Sequence, residues 1–137
     1  MAPNIDVTGD LEGAMTDKDI LVLAVPSPFT RSTAHSMRAF CKEGQKIVDV
    51  AKGVEEKTLM TLSQIIEEEI PQADVAVLSG PSHAEEVGKC IPTTCVVGGS
   101  QQRNGRISAE YFHEQGLPCI HNTGYAWYGT GRCIVKM

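Results

Sequence analysis

No surplus of positive charge is available in this sequence: 12 Lys and Arg stand against 17 Asp and Glu, for a net charge of −5. Such a chain offers no basic surface to neutralise a nucleic-acid backbone or anionic lipid, so neither partner is expected. A small anionic ligand held by one local lysine stays open. The five cysteines, Cys41, Cys90, Cys95, Cys119 and Cys133, show no C-x-x-C spacing. Their odd count suits reduced, buried or incidental thiols of the cytosol better than a secreted disulfide framework. His35, His83, His113 and His121 have no i, i+4 pairing and no cysteine at zinc-ligand spacing, so no metal site is expected. No run approaches the ~20 apolar residues that span a bilayer. The N-terminal MAPNIDVTGD lacks a charged region followed by an apolar core, and a cytoplasmic protein is expected. There is no G-x-S-x-G elbow, which makes Ser82 beside His83 a poor nucleophile and base.

What is present is one domain's worth of chain, 137 residues with 42% hydrophobic content. Ile20 to Val25 (ILVLAV) is a continuous β-branched and leucine run stopped by Pro-Ser-Pro, the pattern of a strand buried on both faces. Three similar runs follow: Lys46 to Val50, Val75 to Leu78 and Thr93 to Val97. Between them Thr58 to Ile70 carries an apolar stripe of Leu59, Leu62, Ile65, Ile66 and Ile70 at helical spacing, closed by Pro71. Thr30 to Phe40 and Arg103 to His113 are further helical candidates. Strands alternating with helices predict an α/β fold: an open, mostly parallel, Rossmann-like sheet with helices on its faces.

In such sheets ligands lie beyond the carboxyl ends of the strands. Pro26-Ser27, Lys52-Gly53 and Gly80-Pro81-Ser82 all fall at predicted strand ends, so the fold would gather three separated pieces on one rim. Ser82 to Glu85 reads as a capping box that starts a helix, and two uses of it stand side by side. It is a plain cap, or an anion site where Gly80 lets a phosphate approach the backbone. Lys52 is either a solvated side chain or a cation for a phosphate or alcohol oxygen. Ser27, held between two prolines, serves equally to lie against a cofactor or simply to leave a strand. The Glu67-Glu68-Glu69 run reads as solvated, on the unfavourable end of the helix dipole.

The stretches DILVLAVPSPFTRS, VAKGVEEKTLMTLSQIIEEEIPQADVAVLSGPSHAEEV and IPTTCVVGG closely resemble the bacterial NAD(P)-dependent glycerol-3-phosphate dehydrogenase family, in order and at its spacing, over about Asn4 to Phe112. The resemblance implies reversible hydride transfer between NAD or NADP and sn-glycerol 3-phosphate, giving dihydroxyacetone phosphate and feeding glycerophospholipid synthesis. It places the lysine matching Lys52 where cofactor and substrate meet. Gly80 and Ser82 match substrate contacts, Ala84 matches a cofactor contact, and Pro26 and Ser27 match the lining of the dinucleotide cleft.

Two departures qualify the likeness. The family's first strand and glycine-rich turn are not in this sequence, which has no G-x-G-x-x-G, so poor cofactor affinity is expected. Residues 1–112 are thus expected to be the distal part of the NAD(P)-binding domain, inactive alone, with the catalytic base in a C-terminal helical domain. None of the residues here, Lys136 included, is expected to be that base. From His113 the family pattern stops. Codons can be chosen for His113 onward that, shifted by one base, spell Met-Asn-Lys-Asp-Phe-Arg-Val-Tyr-Thr-Thr-Pro-Asp-Met-His-Gly-Met-Glu-Leu-Gly-Gly-Ala-Leu, which restores it. Residues 113–137 are therefore expected to be a frameshifted, poorly ordered tail. The alternative to an enzyme fragment is a non-catalytic domain that binds a partner or itself through an exposed sheet edge.

Overall fold

The computed structural model describes residues 5–80, 89, 95–99, 107–110 and 112–113, and the backbone of 119–122. Five strands form one sheet in the order β1-β2-β3-β4-β5: β1 Ile20–Leu23, β2 Lys46–Asp49, β3 Asp74–Ser79, β4 Cys95–Gly99 and β5 Cys119–Asn122. β1, β2 and β3 run parallel, with Leu23 opposite Asp49 and Asp49 opposite Val77. The connections carry helices α2 (Thr30–Met37) and α3 (Leu62–Glu69), and a short α1 (Leu11–Met15) precedes β1.

Side-chain alternation along the strands divides the core between two faces. On one face Leu21, Leu23, Ile47 and Val75 meet Ala34 and Met37 of α2, Ile66 of α3 and Ile70. On the other Val48, Ala76, Leu78, Cys95 and Val97 meet Ala109 and Phe112, from the helical residues 107–110 and 112–113. Helices on both faces of an open sheet are the expected architecture.

Three details differ from the sequence reading. β4 runs antiparallel to β3, with Ser79 opposite Val96 and Ala76 opposite Gly99. An apolar run is compatible with either direction; here β4 starts at the end of the sheet where β3 stops. Second, α3 starts at Leu62 rather than Thr58. Thr61 caps it, accepting from the Gln64 amide while the Gln64 side chain accepts from the Thr61 amide. Leu59, counted in the apolar stripe, instead takes a left-handed φ of 58° and is 76% exposed. Third, the segment expected to be a poorly ordered tail holds β5, paired parallel to β4 from Cys95–Cys119 to Gly98–Asn122.

Candidate functional site at the carboxyl-end rim

Parallel pairing of β1, β2 and β3 brings their carboxyl ends to one side, where Pro26-Ser27, Lys52-Gly53 and Gly80 leave the sheet. Ser82 and Ala84 lie outside the described residues. After β1, Pro26 and Pro28 hold Ser27 in a 3-10 turn closed by the Phe29 amide donating to the Pro26 carbonyl at 2.9 Å. The turn runs directly into α2 and leaves Phe29 60% exposed.

The exit from β2 is shaped by Asp49. Its carboxylate, 2% exposed, accepts from the Ala51 amide at 3.0 Å and turns the backbone out of the ladder just before Lys52. Burial pushes the Asp49 carboxyl up to about 7, against the Ala51 hydrogen bond, which lowers it. Gly53 then adopts φ 129°, and a Cβ on it would stand 3.3 Å from both Ser27 Cβ and Ser27 Oγ. The two rim loops therefore touch, with Lys52 exposed at their junction. Gly80 follows the last residue of β3, and the register continues it to the same end.

Beyond the contact with Ser27, the β2–α3 loop is tied to α2. Arg31 Nε and Nη2 donate to the two carboxylate oxygens of Glu55 at 2.7 and 2.9 Å, and Nη1 donates to Glu68 and Glu69, both at 2.9 Å. Nη2 also approaches the Met60 sulfur at 4.0 Å, so all five guanidinium N–H groups have acceptors. The Arg31 guanidinium and then the Thr58 hydroxyl hold the Glu55 carboxyl down to about 2. Glu69, which also meets His35 Nδ1 at 3.0 Å, is lowered by His35 and by Arg31. The acidic run is thus not merely solvated: Glu68 and Glu69 converge on a cation from another helix. A cleft of about 720 Å³ opens here, bounded by Ser27, Arg31, His35 and Glu55.

Sequence reading passed over Asp49, Arg31 and Glu55. Arg31 lies 24 residues from Glu55 and 37 from Glu68, and no local spacing signals such a pair. For Asp49 a signal existed: a carboxylate inside the apolar run KIVDV is costly unless it has a local hydrogen bond. Among the described residues no group of three His, Cys, Asp or Glu is arranged to hold a metal, and no helix is long and apolar enough to cross a membrane.

Residues 1–105 match the family profile described as NAD-dependent glycerol-3-phosphate dehydrogenase N-terminus. This chain belongs to that family. Similar proteins of the family named glycerol-3-phosphate dehydrogenase (NAD(P)+) include one from Agathobacter rectalis, 59% identical over 109 residues, covering 80% of this chain and 32% of that protein. One from Fusobacterium nucleatum is 60% identical over 96 residues, covering 69% and 29%. The chain thus spans about a third of the length of these relatives. Among solved structures, glycerol-3-phosphate dehydrogenase from Coxiella burnetii superposes with a TM-score of 0.76 at 23% identity, over 85% of this chain and 35% of that one. A pyrroline-5-carboxylate reductase from the same organism gives 0.66 at 14% identity, over 86% and 41%. At such identities the likeness concerns the fold alone.

Proposed function

We propose that this chain supplies the substrate-facing rim of an NAD(P)-dependent glycerol-3-phosphate dehydrogenase acting in the cytoplasm. That enzyme interconverts sn-glycerol 3-phosphate and dihydroxyacetone phosphate and feeds glycerophospholipid synthesis. The observation that carries this reading is the contact of Gly53 with Ser27, which sets Lys52 at the meeting point of the two loops. In a chain of net charge −5, one exposed lysine on a ligand-facing rim is a local cation for an anionic or polarised oxygen.

On this reading the Lys52 ammonium donates to the oxygen on the central carbon of the three-carbon substrate. It steadies negative charge developing there as the carbonyl is reduced, or holds the alcohol in place in the reverse direction. Gly80 leaves the backbone at the rim unobstructed, and Gly80 and Ser82 bind the substrate through donors at the β3 exit. Pro26, Ser27 and Ala84 line the cofactor side. The residues present fit the nicotinamide-proximal end of a dinucleotide: a proline-stiffened turn at Pro26–Ser27 stands beside Lys52 at the carboxyl ends of the parallel strands. Nothing in this sequence fits the pyrophosphate in the usual way, because there is no G-x-G-x-x-G. When bound, the nicotinamide supplies or accepts the hydride.

The test is binding by isothermal titration, with dihydroxyacetone phosphate compared with unphosphorylated dihydroxyacetone. Phosphate-dependent binding that weakens at least about tenfold in Lys52→Met is expected, in keeping with a charge-assisted hydrogen bond. Equal affinity for the two compounds would remove the substrate assignment. For the chain as it stands, oxidation of NADH or NADPH with dihydroxyacetone phosphate is expected to be negligible, since these residues contain no G-x-G-x-x-G to hold the cofactor's pyrophosphate.

A second reading, a self-associating domain without catalysis, has one observation behind it. β1 ends the sheet order among the described strands, and Val22 on it is 48% exposed. An unpaired ladder edge beside exposed apolar surface favours strand addition. Sedimentation across a concentration series would show a dimer on this reading and a monomer throughout on the first.

For residues 113–137 the change of reading frame near His113 remains our proposal. The part of the shifted frame that falls on positions 119–122 reads Val-Tyr-Thr-Thr, β-favouring residues at the positions of β5. DNA encoding an uninterrupted family sequence after one inserted or deleted base supports the shift; unrelated codons end it.

A further inference from the structure

We infer that Arg31 is a positioning residue, a latch that fixes the Lys52–Gly53 loop against the Pro26–Ser27 loop through its two-point grip on Glu55. The inference rests on the reading of Lys52 as the substrate-facing cation, and it adds a residue to which neither the motifs nor the family likeness assigned a role.

The loop after β2 is closed on itself before it meets Arg31. Val54 bridges Thr61, the Glu55 amide donates to the Met60 carbonyl at 3.0 Å, and the Leu59 amide donates to the Glu55 carbonyl at 2.8 Å. Thr58 Oγ1 donates to Glu55 Oε2. Residues 54–61 therefore form a compact turn whose acidic handle is Glu55. Arg31 grips that handle with Nε and Nη2 at 2.7 and 2.9 Å, a planar, side-on arrangement that fixes orientation as well as distance.

The anchor is itself braced. Nη1 reaches Glu68 and Glu69 on the last turn of α3, so the guanidinium is held by two other attachment points while it holds the loop. Glu55 lies two residues after Gly53, and Arg31 four after Ser27. The Gly53–Ser27 contact and the Arg31–Glu55 pair are thus two fastenings of the β2–α3 loop, one steric to the turn after β1 and one ionic to the first turn of α2, which that turn leads into. Lys52 sits immediately outside the steric one. Releasing Glu55 removes the ionic fastening and leaves the Lys52 backbone to the Asp49–Ala51 bond and the contact with Ser27, and a displacement of about 1 Å of a substrate-orienting group can cost about a hundredfold in rate. Lysine cannot replace Arg31, because an ammonium offers no fork of five donors.

The experiment uses the whole chain, isotopically labelled and backbone-assigned, as wild type, Arg31→Lys and Glu55→Gln. Amide hydrogen exchange is read at Gly53, Glu55 and Leu59 in the loop and at Ile47 and Val48 in β2. Shifts of the Lys52 and Gly53 signals on adding dihydroxyacetone phosphate are read in the same samples. The expected result in both variants is loop exchange faster by at least about tenfold with β2 protection unchanged, a local opening rather than global unfolding. The ligand-induced shifts should shrink with it. Loop exchange that stays at the wild-type rate, or loop and β2 exchange rising by one common factor, overturns the latch and leaves Arg31 a general stabiliser. Faster loop exchange combined with no ligand shift in the wild type supports the latch and overturns the substrate reading, so the two failures are distinct.

Discussion

Gly53 presses against Ser27 with a backbone angle of 129°, leaving 3.3 Å between the position of a Cβ and the Ser27 Cβ and Oγ atoms. Glycine suits both conditions, since that φ is strained for any L side chain and an added carbon would crowd Ser27, which would have to give by a few tenths of an ångström. Gly53→Ala is expected to cost about 1–3 kcal/mol. Thermal unfolding followed by circular dichroism would show this as a melting temperature lower by several degrees, roughly 4 °C per kcal/mol for a chain of this size. A variant melting with the wild type would mean the two loops do not meet in solution.

Asp49 and Glu55 set opposite pH responses. Burial raises the Asp49 carboxyl from 3.8 to about 7, so between those values the folded chain holds a proton that the unfolded chain has released. The stabilisation is full below about pH 4 and is lost as the pH rises towards 7. Glu55 is depressed from 4.5 to about 2, so its contribution is present above 4.5 and lost as the pH falls through 2. Maximal stability from these two groups therefore lies near pH 4 to 4.5. Asp49→Asn keeps an acceptor for the Ala51 amide and is expected to flatten the decline between pH 4 and 7, a gain of at most roughly 4 kcal/mol at the upper end. Urea titrations at pH 4.5 and 7.5 check it; parallel losses in both proteins would place the charge elsewhere.

Half-buried Thr61 should matter beyond its packing, because it opens α3 through a reciprocal cap with Gln64. Thr61→Ala is expected to cost about 1 kcal/mol, and Thr61→Ser to recover most of it. Chemical denaturation of the pair separates a capping effect from loss of the methyl group, which serine would fail to restore.

Lys52, by contrast, contributes nothing visible to the fold. Lys52→Ala is expected to leave the unfolding midpoint within about 0.5 kcal/mol of wild type, as for surface substitutions in general. It should also weaken protection by dihydroxyacetone phosphate in a ligand-dependent thermal shift. A large fall in stability without ligand would reassign the lysine to a structural role.

The layers of this molecule differ in how far the chain announces them. The four predicted strands emerge because ILVLAV, KIVDV, VAVL and TTCVV are short apolar runs ended by glycine or proline, and the rim follows from where those runs stop. Leu59 misleads, since its spacing matches the α3 stripe while the Thr61 cap two residues later fixes the true start. The direction of β4 is silent in the sequence because apolar runs carry no arrow. The Arg31 cluster is silent for a different reason: charge pairing across 24 to 38 positions depends on tertiary packing of α2 on α3, which no local period encodes. β5 was missed where CIHN offers only weak alternation, and its order comes from the ladder with β4.

The reversal at β4 has an evolutionary corollary. Since β3 departs and β4 returns at one side of the sheet, residues can be added or removed between Gly80 and Cys95 while Ser79–Val96 pairing keeps its register. Changes in the length of that connection leave the hydrophobic layers of the sheet untouched, so length differences among relatives should concentrate there rather than within the strands.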